Sequence, residues 1–491
     1  MPHSIASSLR TLAALFILLG ATAANAQTPE ASAPQTSPGN LDALRSQVPA
    51  DWNLQRVREP IFNSQIVTLE GGQPGAPLIL FVHGLGDGGM NDWLPTMRLL
   101  AERYRVLALD LPGFGRSESP LGKYSPTRYA ELLSWLLGKS AKGPVTVVGH
   151  SMGGAVALRF ANMHPEQVSR LILVDAAGIL HRTAFVKHSA TLPLSVDAAP
   201  EALKPSVASL RNFGGVLVEK VLGIPLDPTE VLRRSDLAWS LLLHSRSNVN
   251  AAMAMIDENF SQAVYETRTP TWIIWGEADT VTPLRTGQML AARLPRASLA
   301  SIPGAAHSPM LTATSQFMPL FERALTAPDS ELPSVTKGPA ANAKPGTLRC
   351  TGETGKLYTG TWREIIIDGC TAVRLVDVQA DRIVLRDAIV EMTRVSVRGD
   401  KVALEVTNGD LRATASDFSA ATAIVADGAR LDFAGVHLKA TRELLQAKRH
   451  TRLIASISQV DRPGWQGYLH TSVELVDAPL RPDTPPAPDK P

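Results

Sequence analysis

The stretch Pro144-Val145-Thr146-Val147-Val148-Gly149-His150-Ser151-Met152-Gly153-Gly154 decides how the chain is read. Pro144 to Val148 has the short, β-branched, apolar character of a buried strand, and Gly154 to Met163 continues as a helix. Between them lies Gly-x-Ser-x-Gly, a serine on a strand-to-helix turn. A reversal this tight holds the serine in a strained backbone conformation, and Gly149 and Gly153 let neighbouring backbone pass closely. Ser151 Oγ is thereby lifted out of the sheet, with the first amides of the following helix aimed at any negative charge that develops beside it. Ser151 is the candidate nucleophile, and Gly149 and Gly153 are its structural supports.

Working outward, Pro77 to Val82, Tyr104 to Ala108, Leu171 to Val174, Thr271 to Trp275 and Ala297 to Ile302 repeat the same pattern, separated by segments of helical length. Alternation of this kind predicts an α/β fold, a doubly wound and mostly parallel sheet with helices on both faces. In such sheets functional groups collect beyond the carboxyl ends of the strands. A serine hydroxyl needs an imidazole to take its proton and a carboxylate to hold that imidazole. Asp279 follows the strand ending at Trp275, and His307 follows the strand ending at Ile302. The chain order Ser151, Asp279, His307 fits a triad on such a sheet. Rivals are Glu277 on the same turn as Asp279, Asp175 at the end of Leu171 to Val174, and His150, whose side chain is expected to pack beneath the elbow.

Taken together, His83-Gly84-Leu85-Gly86, Asp110-Leu111-Pro112-Gly113-Phe114-Gly115, the Ser151 elbow, Gly276-Glu277-Ala278-Asp279 and His307 resemble the α/β-hydrolase fold superfamily over residues 50–326. The resemblance implies that the backbone N–H groups of Leu85 and Met152 form an oxyanion hole, with His83 and Gly84 supporting that loop. Asp92-Trp93 reads as a helix start near it. The resemblance also implies a helical lid at about 179–268, with Phe185, Leu194, Phe213, Trp239 and Leu243 as candidates either for the pocket or for the lid's own core. It does not choose a substrate, since similar proteins include esterases, lipases, thioesterases, carbon–carbon bond hydrolases and peroxidase-like enzymes. Those with an aspartate at the elbow are excluded by Ser151.

Residues 1–26 read as a secretory signal: Arg10, a short apolar run from Thr11 to Ala23, then Ala24-Asn25-Ala26. The run falls short of the ~20 residues a bilayer requires, so no transmembrane anchor is expected in the mature chain. Export, periplasmic or secreted, favours a disulfide between Cys350 and Cys370. Neither cysteine lies near the cleavage site for lipid attachment. With 48 Lys+Arg against 46 Asp+Glu and a formal charge of +2, the chain lacks the basic excess of a nucleic-acid binder. No cofactor or metal is expected. Segments rich in Pro, Ala, Ser and Thr mark residues 27–49, 327–346 and 479–491 as linkers or tail.

From 347 to 478 the pattern changes to short strands broken by Asp-, Gly- and Asn-rich turns, an all-β unit. Steps of roughly ten residues favour a parallel β-solenoid over a sandwich, with a faint resemblance to right-handed β-helix domains. Its aspartates read as turn residues, with Asp368 and Asp377 as a minor candidate calcium pair. The linker predicts that few contacts cross between the halves. The functional expectation is an exported serine hydrolase acting on a small or lipid-like ester or thioester, without nucleic acid. Alternatives are a carbon–carbon bond hydrolase, a cofactor-free peroxidase, or a binding protein in which the β-rich half contacts a cell-surface polymer.

Overall fold

The computed structural model describes residues 41–183, 239, 243, 246–333 and 346–484. Eight strands form the first sheet in the order β1-β2-β4-β3-β5-β6-β7-β8. They are β1 (Asn53–Glu59), β2 (Ser64–Gly72), β3 (Leu78–Val82), β4 (Arg105–Asp110), β5 (Val145–His150), β6 (Val168–Val174), β7 (Thr271–Gly276) and β8 (Ala297–Ile302). From β4 to β8 all neighbours run parallel. The antiparallel hairpin β1–β2 at the edge is an addition that the sequence pattern did not disclose.

Strand residues alternate between two apolar layers because successive side chains leave opposite faces of a sheet. Leu80, Val82, Val147, Leu171 and Ile273 share one core with helices α2 (Pro126–Ser140) and α3 (Met152–Met163). Ile79, Phe81, Val148, Ile172 and Ile274 pack on the other side against α1 (Leu94–Leu100) and α7 (Thr314–Thr326). Leu44, Val48, Ala327 and Leu332 are buried in this second layer. The folded chain therefore begins before residue 50 and runs past 326, into both expected linkers. Between β6 and β7 the described elements are α4 (Ser247–Ile256) and α5 (Ser261–Glu266), and α6 (Leu284–Arg293) follows β7.

The second half is a solenoid of parallel strands, as the fold class predicted. Ile365, Ile383, Leu404, Ile424 and Leu445 stack in register as one interior column. Val390, Leu411, Leu431 and Leu453 form a second, and Val397, Phe418, Leu438 and Val460 a third. Steps of roughly ten residues were thus not whole coils: each coil uses about twenty residues and lays several strands. Corner residues are left-handed, with Asp387, Asn408 and Gly428 at one corner and Arg394, Ala415, Gly435 and Ile457 at another. The last described strand, Trp465–Leu475, turns back antiparallel on Thr451–Arg462. At the opposite end a disulfide joins Cys350 and Cys370. Leu480 is buried, and its N–H donates to Leu445 O, so the expected tail from 479 starts as part of the solenoid. Asp377 receives both Nε and Nη2 of Arg394 at 2.6 and 2.7 Å, and Asp368 faces Arg386, so the two candidate calcium ligands are engaged by arginines.

The expectation that few contacts cross between the halves is overturned. Ala434, Ile454 and Ile457 of the solenoid are buried in the same core as Leu180, Met289 and Leu290. Gly435 admits this approach, because a Cβ there would fall 2.5 Å from Met289 Cγ. Arg293 donates to Gly435 O at 2.7 Å, Ser416 O at 3.1 Å and Asp417 Oδ1 at 2.8 Å. Arg285 pairs with Asp432 at 3.1 Å, and Tyr265 stacks on Tyr468 with centroids 5.1 Å apart. A chain ended at residue 333 uncovers this apolar seam. It is expected to aggregate or to melt well below the full chain, as measured by size-exclusion chromatography and thermal unfolding. An unchanged melting temperature would contradict the shared core.

Candidate active site

Ser151 sits between β5 and α3 with φ +54° and ψ −121°, a region L-residues enter only when the surroundings impose it. Those surroundings are backbone: a Cβ on Gly149 would meet Gly153 O at 2.2 Å, and one on Gly153 would meet Val82 O at 2.3 Å. Only glycine fits either place, which ties the elbow to β3 and to its own helix. The neighbouring loop crosses directly above, since a Cβ on Gly84 would lie 2.9 Å from Ser151 Cβ.

His307 Nε2 lies 2.9 Å from Ser151 Oγ, and His307 Nδ1 lies 2.8 Å from Asp279 Oδ2. Three residues spread over 156 positions of the chain are thus joined in one hydrogen-bonded line. Asp279 also accepts Val281 N–H and Thr282 N–H on Oδ1, at 2.7 and 2.9 Å, and Thr282 Oγ1–H on Oδ2 at 2.6 Å. Burial pushes this carboxyl up, but the charge and hydrogen bond of His307, with the side-chain and backbone hydrogen bonds of Thr282, outweigh it and hold Asp279 below its ordinary range. Thr282 was not singled out from the sequence. Its signal was available as a hydroxyl three residues after a loop aspartate, the spacing at which such side chains close a local turn.

The rivals separate cleanly. Glu277 is exposed and accepts from Ser301 Oγ at 2.6 Å, away from His307. Asp175 is buried near Asp279 but makes no hydrogen bond to the imidazole. His150 packs under the elbow, where its Nε2–H donates to the main-chain carbonyl of His307 at 2.7 Å. His83 is wholly buried: Leu111 N–H donates to its Nε2 at 3.0 Å, and its Nδ1–H donates to Gly84 O at 2.7 Å. It fixes the loop carrying Leu85. Asp110 supports the same loop by accepting Met90 N–H at 2.7 Å. Asp92 falls in a 3-10 turn ahead of α1, half-buried, with its carboxyl pushed up by burial. Leu85 follows Gly84, whose position lies against Ser151, and Met152 is the first residue of α3.

Trp239 and Leu243 pack with Met253 and Ala254, and Trp239 Nε1–H donates to Asn250 Oδ1 at 2.7 Å. They form a small core of the β6–β7 insertion. Phe185, Leu194 and Phe213 lie outside the described residues. No group of His, Cys, Asp or Glu suited to holding a metal occurs among the described residues. Chemically, the line of hydrogen bonds can draw a proton from a hydroxyl to an imidazole while an ionised carboxylate balances the charge that forms.

The alpha/beta hydrolase fold matches residues 77–314. An uncharacterised protein of Mycobacterium tuberculosis is 34% identical over 260 residues, covering 50% of this chain and 74% of that protein. The chain belongs to the alpha/beta hydrolase fold family. Other relatives of this hydrolase include Lipase 1 of Psychrobacter immobilis, 26% identical over 313 residues, which span 62% of this chain and 92% of the lipase. A pimeloyl-acyl-carrier-protein methyl ester esterase of Chromobacterium violaceum is 29% identical over 248 residues, 49% of this chain and 91% of the esterase.

Two predictions follow from the geometry of this hydrolase. Thr282→Val removes one hydroxyl donor from a charged acceptor. It is expected to lower kcat about tenfold with KM unchanged, the scale of one hydrogen bond to an ionised group; a raised KM with kcat unchanged would assign Thr282 to substrate binding instead. The second concerns pH. Burial, followed by the neighbouring His307, lowers His150 to about 3, and burial lowers His470 to about 4. Both stay neutral in the folded chain while the unfolded chain takes up protons below the ordinary value of 6.5. Their contribution to stability is complete above 6.5 and is lost as pH falls toward 4 and below. Thermal unfolding should show the melting temperature dropping across that window, with a shallower drop in His470→Asn.

Proposed function

We propose that this hydrolase is an exported serine esterase. The observation that carries the reading is the unbroken line from Asp279 through His307 to Ser151, at 2.8 and 2.9 Å, ending on a serine held at φ +54°. In the first half-reaction Ser151 Oγ forms a bond to the acyl carbon as its proton passes to His307 Nε2. Leu85 N–H and Met152 N–H stabilise the oxyanion, a function whose loss costs ~10²–10³ in rate per donor. Collapse of the tetrahedral intermediate breaks the ester C–O bond, and the leaving alcohol takes the proton from His307. Water then attacks the acyl-enzyme by the same route, with His307 as base and Ser151 as leaving group. Asp279 remains ionised throughout and holds the imidazole in the required tautomer.

The proposed substrate is a carboxylic ester or thioester, small or lipid-like, a class to which the names of the lipase and esterase relatives lend support. The segment between β6 and β7 is assigned as a lid that shapes the acyl pocket. Export is supported by the signal-like residues 1–26 and by the Cys350–Cys370 disulfide, which suits an oxidising compartment. No described helix is long and apolar enough to cross a membrane.

The test is a panel of chromogenic esters of graded acyl length, assayed with the full mature chain and its variants. Ser151→Ala is expected to abolish turnover of every ester cleaved by the native enzyme, with an unchanged melting temperature. Asp279→Asn should lower kcat by ~10⁴, the loss seen when the tautomer is no longer held. Persistent turnover in Ser151→Ala would overturn the acyl-enzyme route.

A further inference from the structure

A second carboxyl is buried beside the triad without belonging to it. Asp175 follows β6 in left-handed backbone, φ +45°, and its side chain is wholly buried. Gly276 N–H donates to its Oδ1 at 2.8 Å, whereas its Oδ2 meets no N–H or O–H donor among the described residues. Asp279 is its neighbour: the Thr282 hydroxyl lies 2.6 Å from Asp279 Oδ2 and 3.3 Å from the main-chain carbonyl of Asp175. Two ionised carboxylates side by side in a dry interior repel, and the Oδ2 lone pairs would be left unsatisfied. A single proton removes both costs at once.

The census of donors decides which carboxyl holds that proton. Asp279 accepts from Val281 N–H, Thr282 N–H, Thr282 Oγ1–H and His307 Nδ1–H. Among the described residues the Asp175 carboxyl accepts from Gly276 N–H alone. The negative charge belongs where the donors are, on Asp279. We propose that Asp175 is a neutral carboxylic acid at working pH, donating a hydrogen bond to Asp279 and acting as a positioning residue for the triad. Burial and the neighbouring Asp279 push the Asp175 carboxyl well above its ordinary range, in keeping with this placement of the proton. The titratable groups facing the pair are His307, bonded to Asp279, and His150, which stays neutral beneath His307.

The arrangement gives Asp279 a donor from the end of β6 in addition to His307 and its own loop. Its carboxylate plane is then fixed by the β6 end and by the loop that follows β7. Protonation has a thermodynamic sign as well. The unfolded chain releases this proton above the ordinary aspartate value of 3.8 and the folded chain keeps it, so stability falls as pH rises above 3.8 toward the raised value of the folded chain. An asparagine at 175 supplies the same acceptor for Gly276 and an N–H donor for Asp279, with no proton to retain.

The deciding experiment uses the full mature chain as native protein, Asp175→Asn and Asp175→Ala. A difference infrared spectrum at pH 7, native minus Asp175→Asn, is expected to contain the C=O stretch of a protonated carboxyl; its absence would overturn the proposal. Asp175→Ala should lower kcat about 10- to 100-fold with KM unchanged, and Asp175→Asn should recover most of that loss. Asp175→Asn should also gain melting temperature relative to native protein as the pH is raised from 5 to 8. An Asp175→Asn enzyme as impaired as Asp279→Asn would contradict the donor role. Should Asp175→Ala fail to fold, the infrared band and the pH dependence of Asp175→Asn still decide. The proposal deepens the triad reading, but the infrared band is read without substrate. A band present in a protein that cleaves no ester would sink the esterase reading and leave the shared proton standing.

Discussion

The reversal of the chain at Ser151 is the constraint on which the rest of the structure depends. A strand becomes a helix across a single residue with φ +54°, and the space around it is so limited that carbonyls of Gly153 and Val82 occupy the positions of two missing Cβ atoms. Such strain persists only when neighbouring structure over-determines it. Here β3 supplies one wall, the Gly84 loop a roof, and His150 a floor that hydrogen-bonds to the main chain of His307. The same contacts that force the serine upward also bring the imidazole over it. The hydrogen-bonded line and the elbow strain are one arrangement.

The solenoid extends that logic. Helix α6 begins directly after the Asp279–Thr282 loop, and its Arg285, Met289 and Arg293 are held by Asp432, Gly435 and Asp417. At the other end of the seam, His181 N–H donates to Ser456 Oγ at 2.9 Å, where the chain leaves β6 for the insertion. The β-rich half therefore grips both segments that bound the site, the loop of the triad acid and the root of the insertion. Its own rigidity comes from in-register aliphatic columns, each coil burying a face that it cannot bury alone. This makes it a buttress for the hydrolase sheet, beyond any role in contacting a polymer.

The sequence disclosed most of the first sheet because its central strands are continuous apolar runs bounded by turns, and six of them were read close to their observed limits. The triad was legible because Ser151, Asp279 and His307 each follow such a strand, and topology does the rest. The edge hairpin β1–β2 was missed because its burial is mixed, as in the exposed–intermediate run of Asn53–Glu59. In the solenoid, Asp387, Asn408 and Gly428 announce their corner, since these residues tolerate left-handed backbone. Arg394, Ala415 and Ile457 turn equally sharply and carry no such signal, so whole coils were cut into half-length steps. The seam was invisible for a different reason: Gly435 and Ile457 acquire meaning only once α6 and Tyr265 lie against them. Asp175 was weighed as a rival acid, and only the donor census around Asp279 shows why two carboxyls occupy one site.

The central claim is that Ser151 is a nucleophile activated by His307. Intact-mass spectrometry of the native chain after reaction with a fluorophosphonate, followed by peptide mapping, tests it most directly. The account predicts a single stoichiometric adduct on the peptide containing Ser151, slowed by orders of magnitude in His307→Ala. An adduct on another residue, or ester hydrolysis that continues unimpaired with Ser151 unmodified, would contradict it.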